Sequence, residues 1–206
     1  MKQVFRLLSL LVLTVTLVVL TGTACDQKST PERAWERGAF QRMDENAEDY
    51  SLPAGVTIDS LYGELDSVIP EAELPLRMQV SNGNSGNTEV KFPAGLVFQS
   101  SDPTYEYMML LKDFKFTANP GVTDSIVVPT YGCNEDSLDA PDEDSYYSIG
   151  WRENDKEIEE LLDLVANKTI SDVNATDLLQ QALNEITGPD ETGLQDSTRT
   201  KLQKLP

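Results

Sequence analysis

The sequence predicts a mainly β fold with C-terminal α structure: an antiparallel β-sandwich followed by two to three short helices. Two observations lead to this prediction. Short apolar segments recur at roughly ten-residue spacing between residues 76 and 128, separated by turn-forming residues, which is typical of all-β sandwiches. From residue 158 onward the apolar residues instead follow the i, i+3, i+4, i+7 spacing of amphipathic helices.

The strand region starts with two segments in which apolar and polar residues alternate. The apolar positions of these segments are Leu76, Met78, Val80, Val90 and Phe92. A turn-rich stretch at residues 82–87 (NGNSGN) joins the segments, so the pattern predicts a hairpin with one buried face. Further strands are expected at residues 96–98, 105–111, 114–116 and 122–128, with an earlier one near residues 56–61.

The last fifty residues carry helical apolar stripes. The first stripe is Ile158, Leu161, Leu162 and Val165. The second is Leu178, Leu179, Ala182, Leu183 and Ile186, and a third, shorter helix is indicated by Leu194, Leu202 and Leu205. Asn154 is a candidate N-cap for the first helix, and Gly188 with Pro189 marks the end of the second. We expect the stripes to be buried on the sandwich edge or on each other.

The N-terminus has the pattern of an export signal. Lys2 and Arg6 precede an apolar stretch at residues 7–20, which is shorter than the ~20 residues of a membrane span and typical of a signal h-region. Small residues at 21–24 then lead to Cys25. This segment resembles a bacterial lipoprotein signal peptide, although Gly22 stands where that family usually has leucine.

The resemblance implies cleavage before Cys25, acylation of its thiol, and a location in the cell envelope, anchored by lipid and facing the periplasm or the exterior. Ordinary secretion with cleavage near Ala24, or an uncleaved anchor, are the alternatives. The predicted organisation is therefore a signal peptide at residues 1–24, a lipid-anchored flexible linker at 25–53 and a sandwich domain with C-terminal helices at 54–206.

Composition excludes several function classes. The 206 residues include 16 Lys+Arg, 35 Asp+Glu and no His, a net charge of −19. Without residues 1–24, which contain two basic residues and no acidic one, 14 basic and 35 acidic residues remain, a net charge of −21. Such a chain is poorly suited to nucleic acid, whose phosphates require Lys and Arg. The lack of His excludes a His-based triad or His-ligated metal within this chain.

Cys133 is the second of two cysteines, and the first is Cys25. Thioester domains of bacterial surface adhesins have two motifs. The segment Tyr131-Gly132-Cys133 resembles the first with one residue inserted, and the segment LQQAL at residues 179–183 resembles the second. That resemblance implies an internal thioester between Cys133 and Gln180. The alternatives are a small buried residue at a strand end, a disulfide with Cys25, or pairing with another molecule.

The acidic stretch at residues 134–144 (NEDSLDAPDED) separates the strands from the helices. Its carboxylates are candidate ligands for calcium, which takes six to eight oxygens, and the candidates are Asp136, Asp139, Asp142 and Asp144. The spacing is not that of an EF-hand, so a solvated acidic loop is the alternative reading. Nothing places two carboxylates across a cleft as a glycosidase requires. No cofactor is expected apart from this calcium.

Three phrases resemble a group of uncharacterised bacterial secreted proteins with an immunoglobulin-like strand region and a trailing helix. They are TEVKFPAGLVFQSSDPTYEYMMLLKDFKF, VVPTYGCNE and LLQQALNEITG, and the resemblance covers residues 75–206. It implies an immunoglobulin-like sandwich. We therefore expect a non-catalytic binding or structural module that meets an envelope protein or polysaccharide. The alternatives are a thioester surface domain or a calcium-binding adhesion-type domain.

Overall fold

Strands come first and helices last, so the prediction of a mainly β chain with C-terminal helices is confirmed. The computed structural model describes residues 47–66, 69–133, 139–188 and 192–206. The strands in these residues are β1 Val56–Gly63, β2 Leu76–Asn82, β3 Thr88–Phe92, β4 Leu96–Ser100, β5 Tyr107–Met109, β6 Phe114–Ala118, β7 Thr123–Val128, β8 Tyr131–Cys133 and β9 Tyr147–Arg152. The helices are α1 Lys156–Val165, α2 Val173–Thr187 and α3 Asp196–Gln203.

The strands form three antiparallel sheets in the described part of the chain. One sheet has the order β1-β2-β7, and a second consists of β3 and β6. The third, which we call the central sheet, has the order β8-β5-β4-β9. The antiparallel pairing that the sequence predicts is present in every one of these pairs.

The predicted hairpin between β2 and β3 is wrong. β2 pairs with β1 and β7, whereas β3 pairs with β6. The connection crosses between two sheets and is held by Asn82, whose side-chain amide donates to the carbonyl oxygens of Gly86 and Ala118, each at 2.9 Å. Both strands do bury alternate residues. Alternation indicates which face of a strand is buried, but not which strand lies beside it.

The central sheet is buried on both faces, between two apolar cores. The strand core consists of Val56, Leu61, Leu76, Met78, Val80, Val90, Phe92, Leu96, Phe98, Met108, Leu110, Ala118, Val128 and Tyr147. The helix core consists of Ala47, Val97, Met109, Leu111, Tyr131, Cys133, Trp151, Ile158, Leu161, Leu162, Val165, Ile170, Ala175, Leu179, Ala182, Leu183, Ile186, Leu194 and Leu202. Successive residues of β4 and of residues 108–111 alternate between the two cores. Because both faces are buried, these segments are continuous apolar runs in the sequence.

The helices cover one face of the central sheet rather than the sandwich edge, and they also pack on each other, as the sequence predicts. α1 buries Ile158, Leu161, Leu162 and Val165, the four positions of the predicted stripe. Its N-cap is Asp155, whose carboxylate accepts the N–H of Glu157 at 2.8 Å, and not Asn154 as predicted. Within the described residues, no helix is long and apolar enough to cross a bilayer.

α2 and α3 complete the helical layer. Asp172 caps α2 by accepting the N–H of Ala175 at 3.0 Å, and the helix ends before Gly188 as predicted. Pro189 lies outside the described residues. α3 buries Leu202 and is joined to α1 by an ion pair between Arg199 and Glu160, with Nε and Oε1 2.6 Å apart.

Residues 47–50, which the sequence prediction assigns to the linker, contact the folded body. Ala47 is buried in the helix core. The N–H of Tyr50 donates to Gly150 at 3.0 Å, and the N–H of Arg152 donates to Glu48 at 3.2 Å. Residues 48–50 therefore run antiparallel along the free edge of β9. Main-chain pairing, rather than an apolar pattern, holds this segment on the body.

Candidate functional site

The described residues that the sequence singles out lie in two places, the acidic loop and the contact between β8 and α2. Cys25 and Asp136 are outside the described residues. Asp139, Asp142 and Asp144 lie in the connection between β8 and β9. Cys133 ends β8, and Gln180 lies on α2, which packs against β8.

Asp142 organises the described part of the acidic loop. Its carboxylate accepts hydrogen bonds from the hydroxyl of Tyr105 at 2.8 Å and from the N–H of Asp144 at 2.9 Å. The hydrogen bond to Asp142 raises the pKa of Tyr105 to about 12, with smaller contributions from burial and from neighbouring carboxylates. The structure therefore gives this carboxylate a role in holding the loop.

Asp139 is held through its main chain, with its N–H donating to Thr104 at 2.9 Å and its carbonyl accepting from Glu106 at 3.2 Å. In the parts of the chain that the structure describes, no three His, Cys, Asp or Glu side chains form a group that could hold a metal ion. Calcium binding by Asp136, Asp139, Asp142 and Asp144 stays a prediction.

Cys133 is a free thiol that is fully buried in the helix core. Burial raises its pKa well above the usual value, and the carboxylates of Glu106 and Glu153 raise the pKa further. Because the thiolate is the nucleophilic form, this environment keeps the sulfur protonated and unreactive toward reagents in solvent.

Gln180 bonds to the residue that precedes Cys133. Its Oε1 accepts the N–H of Gly132 at 3.0 Å, and its Nε2 donates to the carbonyl of Gly132 at 2.8 Å and to Oδ1 of Asn184 at 2.9 Å. The side-chain amide thus takes the place of a neighbouring strand on the outer edge of β8, whose main-chain groups are otherwise buried. The structure brings Gln180 and the Cys133 segment together, as the thioester hypothesis requires.

Close packing against a neighbouring side chain favours glycine at the centre of Tyr131-Gly132-Cys133. A Cβ at Gly132 would collide with the carboxyl group of Glu106, which is fully buried beside β8. A larger residue at this position would therefore require the buried Glu106 side chain to shift. Close packing against Glu106 is thus one reason for a glycine in this segment.

A groove of about 600 Å³ lies between β1 and β9. An isolated antiparallel bridge joins Tyr62 of β1 to Tyr146, the residue before β9, and the groove occupies the space beyond that bridge. Its lining residues come from β1, from β9 and from the segment before β1, and they are Tyr50, Leu52, Val56, Thr57, Ile58, Asp59, Ser60, Leu61, Tyr146, Tyr147, Ser148 and Ile149.

Tyr50 fixes the segment that closes the groove. Its ring meets that of Phe92 edge-on, with centroids 5.4 Å apart, and its hydroxyl donates to the carbonyl of Lys91 at 2.8 Å. Partial burial raises the pKa of Tyr50. Tyr147 is anchored similarly, since its hydroxyl donates to the carbonyl of Glu106 at 3.2 Å. The groove is therefore built on residues that the strand core holds in place.

The outer edge of β1 is open along the groove. β1 is the end strand of its sheet, and in the described residues no strand pairs with that edge over residues 56–61. Asp59 is the extra residue of a β-bulge, because the register passes from Ile58 opposite Val80 to Ser60 opposite Gln79. An open strand edge beside an apolar concavity is the main feature that this surface offers to a ligand.

The sequence prediction missed the groove. It assigned residues 50–52 to the linker and no strand to residues 147–152. The one available signal was the apolar pair Tyr50 and Leu52, which lies two residues apart and just before a predicted strand. A groove formed by three separate segments depends on how strands are placed in space, which spacing along the chain does not show.

Comparisons with known proteins assign no family to this architecture. The chain matches no protein-family model, no curated protein and no solved structure.

Proposed function

We propose that the protein is a cell-envelope lipoprotein that acts as a binding or structural module without catalytic activity. The observation that carries the binding role is the groove between β1 and β9, because apolar concavities with a few polar groups are the usual ligand sites of proteins. The proposed partner is an envelope protein or polysaccharide.

The proposed anchor is lipid on Cys25, in keeping with the signal-like residues 1–24. Two or three acyl chains hold a protein stably on a membrane, at ~0.8 kcal/mol per buried methylene. After removal of residues 1–24 the net charge of −21 repels anionic headgroups. The lipid would therefore hold the body at the membrane while its charge keeps the body off the lipid surface.

Cys25→Ser is expected to release the protein from the membrane fraction and to abolish labelling by a radioactive or clickable fatty acid. The thiol is the proposed site of acylation, and serine is not a substrate for that step. Cys133→Ser is the matched control. Because Cys133 is buried in the body, this variant should leave membrane fractionation unchanged. Unchanged membrane association of Cys25→Ser in detergent-free buffer would contradict the lipoprotein proposal.

The binding role is tested by photo-crosslinking in cells. Benzoylphenylalanine at Tyr146, which lines the groove and is 55% exposed, is expected to give a discrete adduct. The same group at Val173 on α2, which is 66% exposed, is the control and should give none. Equal patterns of adducts from both positions would contradict a binding role for the groove.

A thioester surface domain is the second candidate, favoured by the contact between Gln180 and Gly132. In that reaction the sulfur of Cys133 attacks the side-chain carbonyl carbon of Gln180, the C–N bond breaks, and ammonia leaves with the thiol proton. We expect instead that the mass of the soluble domain shows no loss of ammonia, because both polar atoms of the amide are engaged by Gly132. A mass lower by one ammonia, restored by Cys133→Ala, would support the thioester in place of the non-catalytic proposal.

We also propose that the strand region is an immunoglobulin-like sandwich. The resemblance of residues 75–206 supports this, as does the packing of antiparallel sheets around the shared strand core. In such folds the loops and sheet edges present the binding surface.

A further inference from the structure

We propose that the groove binds an extended peptide of alternating apolar and basic residues, which adds to the outer edge of β1 as a further strand. This inference rests on the proposed binding function and specifies its ligand. Three features of the groove lead to it: the open strand edge, the apolar floor and a carboxylate at the rim.

The open edge supplies the main-chain contacts. Residues 56–61 of β1 carry no strand on their outer side in the described part of the chain. The N–H and C=O groups of such an edge bond any extended segment that lies alongside, whatever its side chains. At ~3.3 Å per residue, a partner of about six residues spans this stretch.

The floor selects apolar residues at every second position. Leu52, Ile58 and Ile149 line the groove and are only partly buried by the strand core beneath them. Side chains of an added strand alternate between the two faces of the sheet, so every second one would face these residues. Burial of apolar side chains there stabilises the complex through the hydrophobic effect.

The rim selects basic residues. Asp59 is the one charged residue among the described residues that line the groove. Its carboxylate accepts from the hydroxyls of Ser81 and Thr57, and no Lys or Arg of the described chain forms a salt bridge with it. With a net charge of −19 on the chain, the field at the groove attracts cationic segments.

The same features disfavour a second copy of this chain as the occupant. Two copies paired through β1 would bring two Asp59 carboxylates together and would join two chains of net charge −19. A basic peptide does not meet this repulsion.

The test is titration of the full chain, in nonionic detergent, with two end-blocked heptapeptides, one alternating Lys with Val and Ile and the other with Glu in place of Lys. Saturable binding of the Lys peptide is expected, with at least tenfold weaker binding of the Glu peptide. Ser148→Trp fills the groove without changing the charge and should weaken binding of the Lys peptide by about tenfold or more.

A matched pair of variants distinguishes the effect of the Asp59 carboxylate from the general attraction between an acidic protein and a basic peptide. Asp59→Lys should weaken Lys-peptide binding by about tenfold, because attraction is replaced by repulsion between facing strands. Asp163→Lys makes the same charge change on an exposed position of α1 and should leave binding within about twofold. Asp59→Asn, which keeps hydrogen-bond acceptance at Oδ1, should give an intermediate loss, and thermal unfolding checks that each variant is folded.

Several outcomes would overturn the inference: no saturable binding of the Lys peptide, equal binding of both peptides, or equal losses in Asp59→Lys and Asp163→Lys. Self-association that Ser148→Trp abolishes would assign the groove to a second copy. If the peptide result is negative while crosslinking from Tyr146 still gives its specific adduct, the peptide inference fails and the proposed binding function stands.

Discussion

Replacing Phe92 with alanine is expected to lower the free energy of unfolding by about 3–5 kcal/mol, the range for truncation of a fully buried aromatic residue. Phe92 is 0% exposed and belongs to the strand core. Its ring lies edge-on to Tyr50, Phe98 and Phe116, with centroids 5.4, 5.9 and 5.6 Å away. Such contacts add ~0.5–1.5 kcal/mol each beyond the burial of area.

The matched control is Phe114→Ala, because Phe114 pairs with Phe92 across β3 and β6 but is only partly buried. Its cost should be clearly smaller in chemical denaturation followed by tryptophan fluorescence. The loss in Phe92→Ala also reaches the groove, since Tyr50 rests on this ring. Equal costs for the two variants would contradict the assignment of Phe92 to the centre of the core.

The sequence was sufficient to predict the burial of most elements. Alternation in β2 and β3, and the stripe of α1, correspond to the residues that the structure buries. These patterns are local, because residues two apart in a strand, or three to four apart in a helix, share one face regardless of the neighbouring element. The order of strands before helices could also be predicted, because the apolar period changes from two residues to the helical spacing along the chain.

The partners of each element could not be predicted in this way. The turn-rich residues 82–87 suit a hairpin as well as a crossing between sheets, and only tertiary contacts of Asn82 decide between them. β9 was missed because it breaks the two-residue period. A shift in its pairing with β4 places Ile149 against the strand core and Trp151 against the helix core. In a regular strand these two residues would share one face, because they are two positions apart.

In the candidate site, too, one feature could be suggested from the sequence and another could not. The pairing of the Cys133 segment with Gln180 was suggested by a resemblance, and the structure places them together through a strand-like amide contact. The groove depends on the separation of β1 and β9 in space. The spacing of residues within one segment does not show which distant segment will lie beside it, so the groove could not be predicted.

A chain that ends at Asn154 is expected to aggregate or to melt without cooperativity. Its loss of the helices exposes the sheet face of the helix core, which comprises Val97, Met109, Leu111, Tyr131, Cys133 and Trp151. Each large apolar side chain loses ~1.5–3 kcal/mol on exposure. The sum is comparable with the whole stability of a domain, about 5–15 kcal/mol. Thermal unfolding and sedimentation velocity measure both effects.

The matched control is a chain that ends at Gly188, which keeps α1 and α2 and lacks α3. It loses the burial of Leu194 and Leu202, about 3–6 kcal/mol at ~1.5–3 kcal/mol for each. It also loses the ion pair of Arg199 with Glu160, so it should fold with a clearly lowered midpoint. Because α2 remains on β8, the contact of Gln180 with Gly132 should persist in this control.

A monomeric chain ending at Asn154 with a cooperative transition would contradict the single folding unit. The helices would then be a separate module, and their stripes would be free for a partner. The binding surface would in that case move from the groove to the positions that now pack on the central sheet, foremost Ile158, Leu162, Leu179 and Leu183. Failure of this chain to fold, together with cooperative folding of the chain ending at Gly188, would place the helices within the core on which the groove is built.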